Sequence, residues 1–336
     1  MIKKILFISA LSMAVACKVQ KNKPISEANV EDYANTITSS ELKEHLYTFA
    51  SDEFQGRDTG KPGQKKAANY LKKEYISMQI PSPLGEDDYF QDIPSSFFNN
   101  QFNDSENVVA YIKGSEFPDE IVVISAHYDH VGVDGQGNIY NGADDDGSGT
   151  VSVLEIAEAF QEAVKDGYRP RRSILFLHVT GEEKGLLGSK YYTQNPIFPL
   201  ENTVTDLNTD MIGRIDPKHE DNPNYIYLIG SDKLSTELHE LSEEVNKKYT
   251  NFDLDYTYND ENDPNRFYYR SDHYNFAKHN IPVIFYFNGT HADYHKPTDT
   301  PDKIEYDLMT RRAQLIFYTA WEVANRDNRL LVDKAK

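Results

Sequence analysis

The chain has 336 residues, 39% of them hydrophobic and 26% charged, a balance that suits a soluble globular body and excludes a membrane bundle or a disordered chain. Its formal net charge of −19 excludes a nucleic-acid surface, which needs clustered Lys and Arg to displace counterions. Length alone is compatible with one large α/β domain or two smaller ones, and one catalytic domain behind short leader segments is expected.

At the start, Lys3 and Lys4 precede an apolar run from Ile5 to Ala14 that is too short to span a bilayer, and Ala14-Val15-Ala16 offers small residues for cleavage. Residues 1–16 are therefore expected to be a signal peptide. The only cysteine, Cys17, directly follows the expected cut. This placement resembles the lipobox of bacterial lipoproteins, although Ala14 stands where such boxes usually carry Leu. The resemblance implies lipidation at Cys17, with polar residues 17–36 as a tether. The expected location is thus the bacterial cell envelope, as an exported lipoprotein facing the periplasm or the cell surface. With no further cysteine for an intramolecular disulfide, core burial or metal must hold the exported domain, residues 37–336, together.

From Ile37 the pattern is helical. Leu42, Leu46 and Phe49 recur at spacings of four and three, a turn-like "ASDEFQGRDTGKPG" follows, and "QKKAANYLKKEYISM" reads as a second helix packed on the main sheet. Three continuous apolar runs come next, centred on Ile121 to Ala126, Ile174 to Val179 and Ile281 to Phe287. Unbroken rather than alternating apolar character predicts strands buried on both faces. Between the first two runs Val153, Ala157, Phe160 and Val164 share one helical face, so the order strand, helix, strand predicts a parallel crossover. In such sheets functional groups collect at the carboxyl ends of the strands.

The first run ends in "SAHYDH". His127 and Asp129 are two residues apart and on an extended chain point to the same side, where the carboxylate can brace the imidazole for metal binding. The same pair also occurs as an ordinary surface feature. In "NGADDDGSGT" three aspartates crowd between glycines, with Ser148 placed to cap the helix that follows. The alternating spacing of a calcium loop is missing, and a solvated acidic turn remains open. One central carboxylate reaching a strongly positive site, with its neighbours serving the backbone, explains the stretch better. Glu182 and Glu183 in "TGEEKGLLGS" can divide labour, one binding a cation and the other moving protons, or form a charged turn. Asp210 in "DLNTDMIGR" and His295 in "ADYHKPTDTPDKI" complete a mixed N/O set that suits zinc ahead of manganese or cobalt.

Taken in order, His-x-Asp, Gly-Ala-Asp-Asp-Asp-Gly-Ser-Gly, Glu-Glu-x-Gly-Leu-x-Gly-Ser, Asp-Met, Ser-Asp-His and His-x-x-x-Asp-Thr resemble the co-catalytic dinuclear zinc aminopeptidases of the bacterial leucyl aminopeptidase and aminopeptidase Y type. That metallopeptidase family also contains glutamate carboxypeptidase, glutaminyl cyclase and the non-catalytic transferrin receptor. The likeness covers roughly Asn107 to Ile304. It implies a mixed, mostly parallel central sheet sandwiched between helices, and two Zn2+ ions per chain, with other divalent metals possible. His127 and Asp210 would hold one metal, Glu183 and His295 the other, and Asp145 would bridge both. Asp129 would orient His127, and Glu182 would be the general base toward a bridging water activated by the two metals. The peptide after the bridging aspartate is often cis in that family, which makes Asp145 to Asp146 the candidate bond.

The implied activity is hydrolysis of N-terminal residues from peptides with free N-termini. The alternatives are a glutaminyl-peptide cyclase, which works with a single zinc, and a non-catalytic binding module of the same fold. A glutamate-releasing carboxypeptidase fits less well, because no inserted domain separates the N-terminal helices from "SAHYDH". Ser271, Asp272 and His273 are consecutive and do not converge as a triad must, so Asp272 and His273 are given supporting roles near the site. His130 and His178 are read as packing or surface histidines. The acidic, tyrosine-rich "YTNFDLDYTYNDENDPNRFYYRSD" is either a solvated loop with core-facing rings or a cleft rim, which would favour basic or aromatic N-terminal residues.

Overall fold

The structure, a computed structural model, describes residues 22–335; the expected signal peptide and Cys17 lie outside them. Three helices lead, α1 (Val30–Ala34), α2 (Ser39–Phe49) and α3 (Pro62–Met78), followed by strands β1 (Phe90–Ile93), β2 (Ser105–Ile112) and β3 (Phe117–His127). A short hairpin, β4 (Gly132–Val133) and β5 (Ile139–Tyr140), precedes α4 (Gly149–Lys165) and β6 (Arg172–Val179). Then come α5 (Leu187–Gln194), β7 (Thr203–Thr209), β8 (Tyr225–Ile229), α6 (Thr236–Val245) and β9 (Asp253–Asp255). The chain closes with α7 (His273–Ala277), β10 (Val283–Phe287) and α8 (Tyr306–Asn325).

Eight strands form one sheet in the order β1-β2-β6-β3-β7-β10-β8-β9. The central strands β6, β3, β7 and β10 run parallel, while β2 joins β6 and β8 joins β10 antiparallel. This is the mixed, mostly parallel sheet between helices that the sequence predicts. The unbroken apolar run of β3 divides between the two faces. Val122, Ile124 and Ala126 pack with α2, α3, α4 and α8, whereas Ile121 and Val123 pack with Tyr192 of α5 and Phe276 of α7. Each buried Val, Ile or Phe side chain among them contributes about 1.5–3 kcal/mol. A third cluster, under β8 and β10, holds Met211, Tyr225, Tyr227, Tyr258, Phe267, Phe285 and Phe287.

Local chemistry fixes the leading helices. Thr38 caps α2: its hydroxyl accepts from the Glu41 amide and donates to the Glu41 carboxylate. Pro62 opens α3, and left-handed Gln79 ends it. The tether expected over 17–36 is folded in its last part. Tyr33 and Ala34 of α1 are buried, and the Tyr33 ring stacks on Trp321 of α8 at 5.9 Å, an apolar anchor that a polar average over the segment conceals. Among the described residues no helix is long and apolar enough to cross a membrane.

Candidate metal centre

Because β3, β6, β7 and β10 are parallel, their carboxyl ends open on one edge of the sheet. His127 is the last residue of β3, Glu182 and Glu183 follow β6, Asp210 follows β7, and His295 lies in the loop beyond β10. The loop before α4 brings Asp145 among them, and the Asp145–Asp146 peptide is cis.

The two oxygens of Asp145 face different histidines. Oδ1 lies 3.3 Å from His127 Nε2 and Oδ2 lies 3.0 Å from His295 Nε2. Asp210 Oδ1 is 3.6 Å and Glu182 Oε2 3.9 Å from His127 Nε2, and Glu183 Oε1 is 3.2 Å from His295 Nε2. Two groups of metal-type donors result, His127 with Glu182 and Asp210, and His130 with Asp145 and Glu183. Asp145 Oδ2 and Glu183 Oε1 are buried without a hydrogen-bond donor in good geometry, although His295 stands within reach of both. Donors crowded together without bonding one another are what a shared cation would satisfy, and imidazole with carboxylate is a donor set that fits zinc.

The three aspartates divide their tasks. Asp144 Oδ1 accepts from the Gly213 amide at 2.7 Å, and Asp146 Oδ1 accepts from the amides of Gly149 and Met211 at 2.9 and 3.1 Å, so both tie the loop to its surroundings while Asp145 faces the histidines. Asp299 accepts from the amides of Asp144 and Asp145. The first amide of α4 is thus capped by Asp146. Ser148, expected as the cap, has helical dihedrals; its hydroxyl instead donates to the Asp144 carbonyl and accepts from the Ile212 amide. Gly142 has φ of +55°, and a Cβ there would collide with the Asp145 carbonyl and the His130 ring.

Asp129 sits differently from its expected place. The atom of Asp129 nearest His127 Nδ1 is its carbonyl oxygen at 3.1 Å, with the carboxylate at 3.7 Å. The chain has left β3 by then, so strict alternation no longer governs it. The carboxylate accepts instead from the Glu182 amide at 3.1 Å and from the Thr59 hydroxyl at 2.7 Å.

Three contributors escape the motif reading. His130 is fully buried with Nδ1 2.9 Å from Glu183 Oε1, a site-facing position rather than a packing or surface one. His178, by contrast, is buried against the Tyr75 hydroxyl at 2.6 Å, away from the centre. Within "RSDH", Ser271 makes the direct contact, donating to Asp210 Oδ2 at 2.8 Å. Asp272 accepts from Ser189, while His273 is buried against Phe285 with neither ring nitrogen bonded. Arg57, fully buried, donates to the carbonyls of Tyr128, Phe49, Asn141 and Gly142, clamping the β3 exit to the start of the aspartate loop. Its signal is present in "FQGRDTG", where an arginine stands among turn residues.

Charge follows geometry. Burial pushes the Glu182 carboxyl well above its ordinary value, with Asp210, Asp272 and Glu183 adding to the push against the opposing His127. For Asp145 burial acts upward too, but His127 and His295 outweigh it and hold the carboxyl well below the usual range. His127 is held high against the effect of burial, chiefly by Glu182 and Asp210.

A cavity of about 340 Å3, open mouth included, adjoins these groups. Asp145, Glu182, Asp210 and His295 line one side, and Met211, Phe267, Phe285 and Phe287 supply an apolar wall. From the tyrosine-rich stretch only Phe267 and Arg270 reach this lining; its acids do not. Of the two readings of that stretch, the solvated loop with core-facing rings fits its acids and the buried Tyr258 and Phe267, and what it lends the cavity is one aromatic ring and one guanidinium.

Residues 107–320 match the sequence model of Peptidase family M28. The chain belongs to peptidase family M28. A probable zinc metalloprotease of Pyricularia oryzae is 38% identical over 109 residues, 32% of this chain and 21% of that protein. This M28 chain thus spans about a fifth of that relative's length. A probable leucine aminopeptidase of Arthroderma otae is 26% identical over 306 residues, 89% of this chain and 77% of that one. Among solved structures, the LapA aminopeptidase of Legionella pneumophila shares the fold, with a TM-score of 0.69 at 21% identity over 91% of this chain and 77% of that one.

Proposed function

We propose that this M28 chain is an aminopeptidase using two zinc ions, and that it removes N-terminal residues from peptides with free N-termini. The observation that carries the reading is the Asp145 carboxylate, whose oxygens face His127 on one side and His295 on the other. In this reading His127 and Asp210 hold one ion, Glu183 and His295 the other, and Asp145 serves both. Bound there, the metals supply Lewis acidity and lower the pKa of water.

The chain's own residues do the rest. Glu182 takes a proton from the attacking water on its carboxylate and delivers it to the leaving nitrogen as the peptide C–N bond breaks. The Asp129 carboxylate holds the Glu182 amide and so the loop that carries the base. Ser271 fixes one oxygen of Asp210 and leaves the other free. The apolar wall of Phe267, Phe285, Phe287 and Met211 excludes water from the side chain of the first residue. We further propose that the mature protein begins at an acylated Cys17 and works at the bacterial cell envelope.

The test uses the zinc-loaded protein and peptides bearing free or acetylated N-termini, Gln-terminated ones included, followed by mass spectrometry. Stepwise shortening from free N-termini alone is expected. Loss of ammonia from Gln-terminated peptides without shortening would make the chain a cyclase, and binding without any turnover would make it a recognition module.

A further inference from the structure

The cavity beside the metal centre carries one permanent cation. Arg270 lines it together with Asp145, Glu182 and Asp210, with no Lys and no second Arg in the lining. Phe267, Phe285, Phe287 and Met211, the apolar wall, are buried, whereas Arg270 is exposed and stands at the mouth. Its backbone is held there, because the next residue, Ser271, is bonded to Asp210.

The guanidinium is oriented but electrically unmatched. Its carbon lies 4.8 Å from the centroid of the Phe267 ring, and Nη2 reaches the Tyr294 hydroxyl at 3.3 Å. Among the described residues it forms no ion pair, in a chain whose net charge is −19. Packing over an aromatic ring steadies a guanidinium while its in-plane N–H groups stay available. Of the five donors an arginine carries, the Tyr294 contact engages one. The acids that share the lining repel a negative substrate group, and the unpaired guanidinium offers such a group the one permanent counter-charge in that lining.

We infer that Arg270 recognises a carboxylate of the substrate and sets the substrate class toward peptides that present one at the cavity mouth. Two sources carry that chemistry, an acidic side chain on the N-terminal residue and the C-terminal carboxylate of a dipeptide. The inference rests on the aminopeptidase reading and deepens it. It also reverses the preference for basic N-terminal residues that an acidic rim would give.

The experiment compares kcat/KM of the zinc-loaded protein on two matched pairs, Glu- against Gln-p-nitroanilide and Leu-Gly against Leu-Gly-amide, with Leu-p-nitroanilide as reference. A charge-assisted bidentate contact predicts that the charged member exceeds its neutral partner by about tenfold in at least one pair. A preference in the first pair assigns the carboxylate to the side chain, and one in the second to the C-terminus. Arg270→Gln is expected to bring that ratio close to one, and Arg270→Lys to restore part of it, whatever the absolute rates. Equal treatment of both pairs by the unaltered protein overturns the inference, as does an Arg270→Gln variant that slows charged and neutral members by the same factor. Cleavage of Leu-p-nitroanilide without a carboxylate preference sinks the inference alone; no release from any of the five probes removes the aminopeptidase reading as well.

Discussion

The Glu182 amide donates to the carboxylate of Asp129, so the acid two residues beyond His127 holds the loop of the base while its carbonyl stays with the imidazole. Thr59 occupies the other carboxylate oxygen. Asp129→Asn leaves one acceptor where two are used, and the expected cost is about 10–100-fold in kcat with zinc stoichiometry kept near two. A variant that instead loses zinc at unchanged kcat per bound pair would return Asp129 to the role of orienting His127.

Glu182 lies close enough to His127 and Asp210 to compete for the role of ligand. In the metal-free protein burial raises its pKa, and a carboxyl that accepts a proton more readily than an ordinary carboxylate suits proton transfer rather than ligation. Glu182→Ala is expected to keep two metals, counted by atomic absorption after dialysis, while turnover falls by about 10²–10⁴-fold. A drop to one metal would make Glu182 a ligand and leave the base unassigned.

Asp145 serves both histidines, so its removal differs from the loss of a ligand at a single position. Asp145→Ala is expected to release both metals together, with fewer than one retained per chain after dialysis. His295→Ala should remove one and leave the His127 side occupied. Equal metal content in the two variants would show that Asp145 does not bridge.

Metal and proton compete for the same nitrogen. Burial lowers the His295 pKa, but Asp145 and Glu183 outweigh it and hold the ring up to about 10 in the metal-free protein, so the imidazole is protonated at neutral pH. Glu183, held down to about 2 by His130 and His295 against burial and Asp145, is already ionised and releases nothing. Ligation needs neutral imidazole, so zinc uptake at pH 7 expels protons, and affinity rises with pH by up to about tenfold per unit for each proton released. Calorimetry in buffers of different ionisation enthalpy counts those protons. A count of zero would contradict the charge state assigned to His295.

The sequence discloses β3, β6 and β10 because both their faces are apolar, and with them His127, Glu182, Glu183 and His295, which stand at or beyond the ends of those strands. It conceals β7, the strand between β3 and β10, because Asp206 and Asn208 look like loop residues. Both are buried, and Ser125 of β3 donates to each, at 2.7 and 3.0 Å. Asn208 continues the chain of bonds to Ser271 and so to Asp210. A polar strand at the middle of a sheet is stable only when its partners are supplied from elsewhere, and no local pattern announces partners some 60 to 80 residues away. The same distance hides Thr59 and Arg57, which act on loops that follow them by 70 residues or more.

Arg57 allows the clearest separation of anchoring from chemistry. Burial lowers its pKa to about 10, yet its guanidinium remains charged at neutral pH and lies over the Phe49 ring at 4.6 Å. Four carbonyls depend on it, two of them, from Asn141 and Gly142, at the entrance to the aspartate loop. Arg57→Met keeps the aliphatic packing and leaves these carbonyls unpaired, a loss of about 3 kcal/mol or more in stability, read by urea denaturation of the metal-free protein. Because the loop carries Asp145, zinc affinity should fall with it. Arg57→Lys retains the charge but cannot fork to four acceptors, so intermediate stability is expected. If Arg57→Lys matched the unaltered protein in both measurements, charge alone would be what the site requires of this position, and the clamp on the loop would be without effect.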